Sequence, residues 1–307
     1  MKNNFDLSII IPIYKFDNNK LAKFLKDLNF QKKKILTHVS VEIIIVSNSV
    51  SIKNNLILKK NTKYKDFNFY VYKDRGNPGL ARNYGLKKSF GNFVIFLDFN
   101  DNLKLINVLT IFKKFKNEDF VIYKYKKDPV AKNNNLTKKK YSKRIIIQNL
   151  LKRKYDESCN YYFFKKKFLI KNKIYFDRGF YEDRVFILKV FFYAKNFSIF
   201  NKLTYKKIRS KNSITQTFSN KHILDFIQSS KRKYYFLKRA NSVLDKNFKF
   251  SLQHGLRGDF YYLYKKIINY DLKKKLNFIK SNYLSIIDID FEPKTLIDNK
   301  VKKILKL

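Results

Sequence analysis

Five short apolar runs, separated by amphipathic stretches, occupy the first 125 residues of the chain. Most of these runs are apolar on both faces, which is typical of strands buried inside a parallel sheet. The alternation of strand and helix patterns favours a mostly parallel central sheet flanked by helices. The strands are predicted at 7–13, 41–47, 67–72, 92–98 and 119–125, and the helices at 19–30, 51–60, 80–90 and 103–116.

The sequence after about residue 210 has a helical pattern, with helices predicted at 222–245, 252–270 and 294–307. No linker rich in Gly, Pro or Ser separates it from the preceding part. We therefore expect an α/β domain over residues 1–210 and a helical extension over residues 211–307 that packs on it. Residues 128–140 have the composition of turns and are predicted to form a surface loop.

The chain is strongly basic, with 68 Lys and Arg against 24 Asp and Glu and a formal net charge of +44. A basic field attracts polyanions, so a nucleic-acid or membrane-surface binding protein is one hypothesis. The lysines are dispersed in short runs, however, and the amino-acid bias resembles that of an AT-rich genome. Charge alone also indicates attraction rather than specificity, so we expect no specific nucleic-acid partner. A pyrophosphate substrate would be attracted equally well.

The sequence favours a cytoplasmic protein. Its only cysteine, Cys159, excludes an intrachain disulfide. The apolar runs are shorter than the roughly 20 residues of a spanning helix, and the first run is too short for a signal peptide. The tail 294–307 gathers its apolar residues near one helical face. That pattern suits either packing on the core or peripheral contact with anionic lipid on the inner face of the membrane.

Acidic and helix-start signals lie close together between residues 77 and 101. Asn77 can cap a helix, Pro78 suits its first position, and Gly91 can end it. Asp98 and Asp101 directly follow the fourth apolar run. Since open parallel sheets bind ligands beyond the carboxyl ends of their strands, the two acids indicate a binding site there. The alternative is that they form a turn and cap the next helix.

Several motifs, in this order along the chain, resemble those of family 2 glycosyltransferases, which have the Rossmann-like GT-A fold. This resemblance covers roughly the first 215 residues and implies a role in bacterial capsule, lipooligosaccharide or exopolysaccharide synthesis. The matching segments are SIIIPIY at 8–14, GLARNYG at 79–85, FLDFND at 96–101, YEDRVF at 181–186 and, more weakly, YKKIRSKNSIT at 205–215.

The resemblance implies a nucleotide-sugar donor and a divalent cation, Mn²⁺ or Mg²⁺, at its pyrophosphate. Oxygen atoms of Asp98, Asn100 and Asp101 are expected to bind the cation. Arg82 and Asn83, near a helix N-terminus, are expected to face the donor phosphates or ribose, where positive charge favours an anion. Further donor contacts, beside Asp98 and Asn100 themselves, are expected at Pro12, Tyr14, Ser47, Asn48, Gly79, Arg209 and Ser213.

Two positions depart from the family's pattern. Where the family has Asp-Asp after the second strand, this chain has Ser47 and Asn48, which can still form hydrogen bonds with a base. The middle acid of the family's acidic motif is Asn100 here, a neutral oxygen donor. These departures leave the identity of the nucleotide open, and they imply weaker cation binding or a cation site that rests mainly on Asp101.

The resemblance assigns the catalytic base to Asp183, with Glu182 orienting neighbouring groups or the acceptor. It implies an inverting, metal-dependent transfer of a sugar to a hydroxyl of a glycan or lipid-linked acceptor. A simpler explanation is that both acids only complement the charge of a helix N-terminus, which is worth about 0.3–1 kcal/mol. A nucleotidyltransferase on a related α/β sheet is a second enzymatic hypothesis, because it also needs carboxylates and a metal.

Overall fold

A computed structural model of the protein describes residues 5–14, 16–47, 66–72, 77–127, 143–208, 218–240, 246–270, 272–288, 290 and 293–305. Within these ranges the strands are β1 (Leu7–Ile13), β2 (Val41–Ser47), β3 (Phe67–Val71), β4 (Phe93–Phe96), β5 (Asn102–Leu103), β6 (Phe120–Lys127), β7 (Tyr162–Lys165) and β8 (Phe197–Lys207). The α-helices are α1 (Asn18–Lys33), α2 (Pro78–Lys88), α3 (Leu105–Lys114), α4 (Lys143–Leu151), α5 (Lys166–Lys171), α6 (Glu182–Tyr193), α7 (Asn220–Arg239), α8 (Lys246–Asn269), α9 (Leu276–Leu284) and α10 (Leu296–Leu305). The helix predicted at 51–60 and the loop predicted at 128–140 lie outside the described residues.

The chain divides into two compact units. The first contains Met1–Lys140, Ser158–Gly179 and Phe192–Ser210, and the second contains Tyr141–Glu157, Phe180–Phe191 and Lys211–Leu307. Two segments from the predicted 1–210 domain therefore belong to the second unit. One of them contains the start of α6, with Glu182 and Asp183.

The first unit is built on a mixed sheet with the strand order β3-β2-β1-β4-β7-β6-β8-β5. The first four of these strands run parallel, as predicted from their apolar runs. Strand β7 runs antiparallel to both β4 and β6, and β5 runs antiparallel to β8. Every residue of β2 is buried, which explains why its central residues, 43–46, are apolar without alternation.

A buried carboxylate connects the loop after α2 to the amino end of the sheet. Oε1 of Glu42 accepts hydrogen bonds from the Ser8 hydroxyl at 2.6 Å and from the amides of Phe90 at 2.5 Å and Gly91 at 3.0 Å. Helix α2 ends at Lys88 and its C-cap is Ser89, so Gly91 does not end the helix as the sequence predicted. The residue is a glycine because the chain passes very close to β1 at this point.

We expect Gly91→Ala to lower the free energy of unfolding by about 1–3 kcal/mol, the usual range for overpacking. A Cβ atom there would lie 2.5 Å from the Ser8 nitrogen and 2.7 Å from the Leu7 carbonyl carbon, so backbone must move. Urea denaturation measures the change. In the control Gly258→Ala, within α8, the new Cβ would meet nothing nearer than 4.0 Å. That variant should be neutral or slightly stabilising, and an equal loss in both variants would contradict the prediction.

The second unit is helical and centred on α8. Phe260, Leu263 and Ile267 of α8 are fully buried. Helix α10 packs against α8 through Val301, and the Arg257 guanidinium pairs with the Asp298 carboxylate at 2.5 Å in the same contact. Part of the apolar face of the tail therefore packs on a neighbouring helix, which is one of the two outcomes that the sequence predicted.

Candidate active site

The acidic turn, residues Asp98–Asp101, follows β4 at the carboxyl edge of the parallel strands. The Asp101 amide donates to the Asp98 carbonyl at 3.1 Å and closes the turn. Asn100 has a φ of 72°, a left-handed conformation that asparagine adopts more readily than most residues. Lys104 precedes α3 without a side-chain cap, so neither acid caps that helix. The turn predicted as the alternative is present, but its acids contact other partners.

Asp98 is paired with two cations. Its Oδ1 accepts a hydrogen bond from the Arg82 guanidinium at 2.8 Å, and its Oδ2 lies 3.7 Å from the Lys207 ammonium. Burial by itself would raise the pKa of Asp98, but Arg82 and Lys207 outweigh it and hold that pKa below its usual value. Sequence reasoning missed the Arg82–Asp98 pair because the two residues lie on different elements, 16 positions apart.

Asp101 lies beside Asp98 in a contrasting environment. The Tyr205 hydroxyl donates to its Oδ2 at 2.5 Å, and the Ile208 amide donates to its Oδ1 at 2.7 Å. Burial, followed by the negative charge of Asp98, raises the pKa of Asp101 to about 7. The turn therefore places one firmly ionised carboxylate beside another that ionises with difficulty. A cation close to both carboxylates would relieve their repulsion.

The other residues predicted to contact the donor lie at several places in the chain. Pro12, Tyr14 and Ser47 lie at the carboxyl ends of β1 and β2, the edge that also carries the acidic turn. Gly79 is buried in the first turn of α2. The Asn83 amide exchanges two hydrogen bonds with the backbone of Phe176, at 2.8 and 2.9 Å, so it anchors that segment. Asn48, Arg209 and Ser213 lie outside the described residues.

Glu182 and Asp183 form the first turn of α6 in the second unit. Glu182 is buried, whereas Asp183 is half-buried. Tyr181, just before them, has a φ of 62°, a conformation that costs a bulky residue about 1–3 kcal/mol and tends to cluster at functional sites. Its ring packs edge-on against Phe226, with centroids 4.9 Å apart. The surrounding helices therefore maintain a strained turn directly before the two acids.

Arg184, the next residue of α6, occupies a buried ionic cluster that sequence reasoning missed. Its guanidinium donates to Glu157 at 3.1 Å, to the Ser229 hydroxyl at 2.6 Å and to Asp259. Lys233 also donates to Glu157, at 2.5 Å. Burial alone would raise the pKa values of the two acids, but the neighbouring cations dominate and lower both. The cluster joins the start of α6 to α7 and α8 of the same unit.

Comparison with known proteins gives the family. The sequence profile described as Glycosyl transferase family 2 matches residues 8–202, more than half of the chain and a range that includes the acidic turn and the start of α6. This chain belongs to glycosyltransferase family 2. The predicted membership, drawn from motif order alone, is thereby confirmed.

Curated relatives of this family 2 protein include enzymes of cell-surface polymer synthesis. It is 31% identical over 119 residues to the minor teichoic acid biosynthesis protein GgaB of Bacillus subtilis, covering 38% of this chain and 13% of GgaB. It is 28% identical over 205 residues to the poly(ribitol-phosphate) β-N-acetylglucosaminyltransferase TarP of Staphylococcus aureus, covering 63% of this chain and 59% of TarP. The chain thus spans less than two thirds of either relative.

Solved structures confirm the predicted GT-A fold of this family 2 protein. Staphylococcus aureus TarS, residues 1–349 in complex with UDP-GlcNAc, superposes with a TM-score of 0.68 at 17% identity. The superposition covers 98% of this chain and 84% of that one. Because the identity is so low, this likeness supports the fold alone.

The described residues contain neither a membrane-spanning helix nor a cluster of metal-binding side chains. No helix among them is long and apolar enough to cross a membrane. No cluster of three or more His, Cys, Asp or Glu side chains in this part of the chain has the proximity needed to hold a metal ion.

Proposed function

We propose that this protein transfers a sugar from a nucleotide-sugar donor to a hydroxyl of a glycan or lipid-linked acceptor in bacterial surface polysaccharide synthesis. The observation that carries the proposal is the family profile match over residues 8–202, within which Asp98 and Asp101 meet at the carboxyl edge of the sheet. The names of GgaB and TarP support a surface-polymer acceptor. A lipid-linked acceptor would place the protein at the inner face of the cytoplasmic membrane.

The acidic turn is the proposed site of a divalent cation. Mg²⁺ is commonly bound by one or two protein carboxylates together with substrate phosphates, and Mn²⁺ also suits carboxylate and carbonyl oxygens. Asp98 and Asp101 supply such carboxylates, and the Asn100 amide supplies a neutral oxygen, so the donor set fits. When bound, the cation would neutralise charge on the departing nucleoside diphosphate. Arg82 and Lys207, beside Asp98, add positive charge at the same edge.

Asp183 is the proposed general base of an inverting transfer. The acceptor oxygen forms a bond to the anomeric carbon of the donor as the bond from that carbon to the diphosphate breaks. The proton of the acceptor hydroxyl passes to the Asp183 carboxylate, which is half-buried and so retains access to solvent. Glu182, buried beside it, is proposed to orient neighbouring groups or the acceptor.

Calorimetry with nucleoside diphosphates and with CMP-, GDP- and UDP-sugars, in Mn²⁺ or in EDTA, tests the proposal. We expect one nucleotide class to bind, and to bind more tightly with Mn²⁺. Asp101→Ala should abolish most of that metal-dependent gain because it removes a cation ligand. Asp288→Ala is the control, since this acid is half-exposed in the second unit.

The possible outcomes separate the two parts of the proposal. If no sugar nucleotide binds under any condition, the proposed function is wrong. If one binds equally well in Mn²⁺ and in EDTA, only the metal assignment is wrong. An equal loss of metal-dependent nucleotide affinity in Asp101→Ala and Asp288→Ala would show that the acidic turn is not part of the donor site.

A further inference from the structure

Tyr205, near the end of β8, contacts both ends of the acidic turn. Its hydroxyl donates to Oδ2 of Asp101 at 2.5 Å and lies 3.4 Å from the Asp98 amide, for which it is the acceptor. One oxygen atom therefore connects the carboxylate at the end of the turn to the backbone at its start. The two residues that this hydroxyl bridges are those proposed to hold the cation.

The Tyr205 ring is held firmly in its position. Only 1% of the residue is exposed, and its ring packs edge-on against Tyr161 with centroids 5.4 Å apart. Tyr161 in turn stacks on Tyr125 at 3.6 Å. Because the ring is constrained, its hydroxyl stays at one place. The Asp101 carboxylate is therefore held where it can accept the hydrogen bond from that hydroxyl.

The end of β8 makes two further contacts with the same turn. The Ile208 amide donates to Oδ1 of Asp101, and the Lys207 ammonium lies near Oδ2 of Asp98. Tyr205 itself pairs with Leu103 in β5, the strand that directly follows the turn. Backbone pairing therefore fixes the position of β8 relative to the turn, and so it fixes the place of the Tyr205 hydroxyl beside the turn.

We propose that Tyr205 is a positioning residue, whose hydroxyl holds the Asp101 carboxylate next to the Asp98 backbone, in the arrangement that binds a divalent cation together with a nucleotide. The inference rests on the proposed function, because it concerns the same cation site. Tyr205 acts through Asp101 and touches neither the cation nor the donor. Partners of this kind, which orient metal ligands, typically change metal affinity about 10–100-fold when mutated.

Tyr205→Phe tests the inference, because it removes the hydroxyl and keeps the ring. The measured quantity is the ratio of UDP affinity in Mn²⁺ to UDP affinity in EDTA, obtained by calorimetry, or the same ratio for whichever nucleotide the wild-type protein binds. We expect this ratio to fall about 10-fold or more, on the usual scale for such partners, with affinity in EDTA unchanged. Electron paramagnetic resonance of free Mn²⁺ gives an independent readout, and bound Mn²⁺ should decrease in the same variant.

Tyr283→Phe is the matched control. Tyr283 is fully buried in the second unit, where its hydroxyl exchanges a hydrogen bond with Ser230 at 3.0 Å. The control thus deletes an equally buried hydroxyl without touching the acidic turn, and its metal-dependent ratio should stay at the wild-type value. If Tyr205→Phe does not fold, 4-fluorophenylalanine at position 205 fills the volume of the hydroxyl but cannot donate a hydrogen bond.

Each result has a distinct meaning. A wild-type protein that binds no nucleotide overturns the proposed function, and the inference falls with it. A wild-type protein with metal-dependent binding and an unchanged ratio in Tyr205→Phe overturns the inference alone. Equal losses in Mn²⁺ and in EDTA would also overturn it, because they would show a merely structural role.

Discussion

Asp183→Asn is expected to lower turnover by roughly 10²–10⁴-fold, the scale of lost general-base catalysis, while donor affinity changes by no more than a few fold. A sugar hydroxyl is a poor nucleophile at neutral pH, so a carboxylate must accept its proton as the new bond forms. Asparagine has the same shape as aspartate but cannot accept that proton. Release of nucleoside diphosphate in the presence of donor and acceptor measures turnover, and calorimetry measures donor binding.

Asp288→Asn is the control for this experiment, because it makes the same chemical change at a half-exposed acid of the same unit. It should leave turnover unchanged. Near-normal transfer by a folded Asp183→Asn protein would falsify the assignment of the base. In that case Glu182→Gln should carry the larger loss, since Glu182 is the other acid of the same turn.

Arg184→Met should lower the free energy of unfolding by about 3–5 kcal/mol, the usual result of removing one partner from a buried ion pair. Methionine retains much of the volume of arginine but removes the cation that Glu157 and Asp259 share, so that Glu157 keeps Lys233 and Asp259 keeps Arg153 as a cationic partner. Urea denaturation at neutral pH measures the loss. The matched control is Lys249→Met, whose ammonium lies 3.5 Å from Asp288 on the surface. Exposed pairs of this kind contribute about 0–1 kcal/mol, so similar losses in both variants would contradict the prediction.

The pH dependence of the Arg184→Met loss provides a second readout. The pKa values of Glu157 and Asp259 are lower in the folded protein than in the unfolded chain. The cations Lys233, Arg184 and Arg153, which cause this lowering, therefore stabilise the fold above the unfolded values, which are about 4, and their contribution is lost as the pH falls. The variant lacks the share that is due to Arg184. The difference between wild type and variant should shrink in acid, and a constant difference at all pH values would show that lost packing explains the effect.

Local patterns in the sequence were enough to predict most of the strands and helices. β1 and β2 were predicted with their observed bounds, because each is mostly apolar, as is typical of a strand buried on both faces. Helix α2 was predicted from Asn77, whose side chain does accept a hydrogen bond from Leu80 as a cap. Strand β7 was missed because its four residues carry little periodicity, and its place between β4 and β6 depends on partners distant in the chain.

The sequence by itself determined the family and the alternation of strands and helices in the parallel part of the sheet. These are properties of short segments, in which residue type and spacing are sufficient. Only the tertiary structure decided which groups contact the residues predicted for the site and so influence their charge and position. Arg82 meets Asp98 across 16 positions, Tyr205 meets Asp101 across 104, and Arg184 meets Asp259 across 75. Electrostatic forces and hydrogen bonds act over ångströms in space, and the fold determines which distant residues come that close.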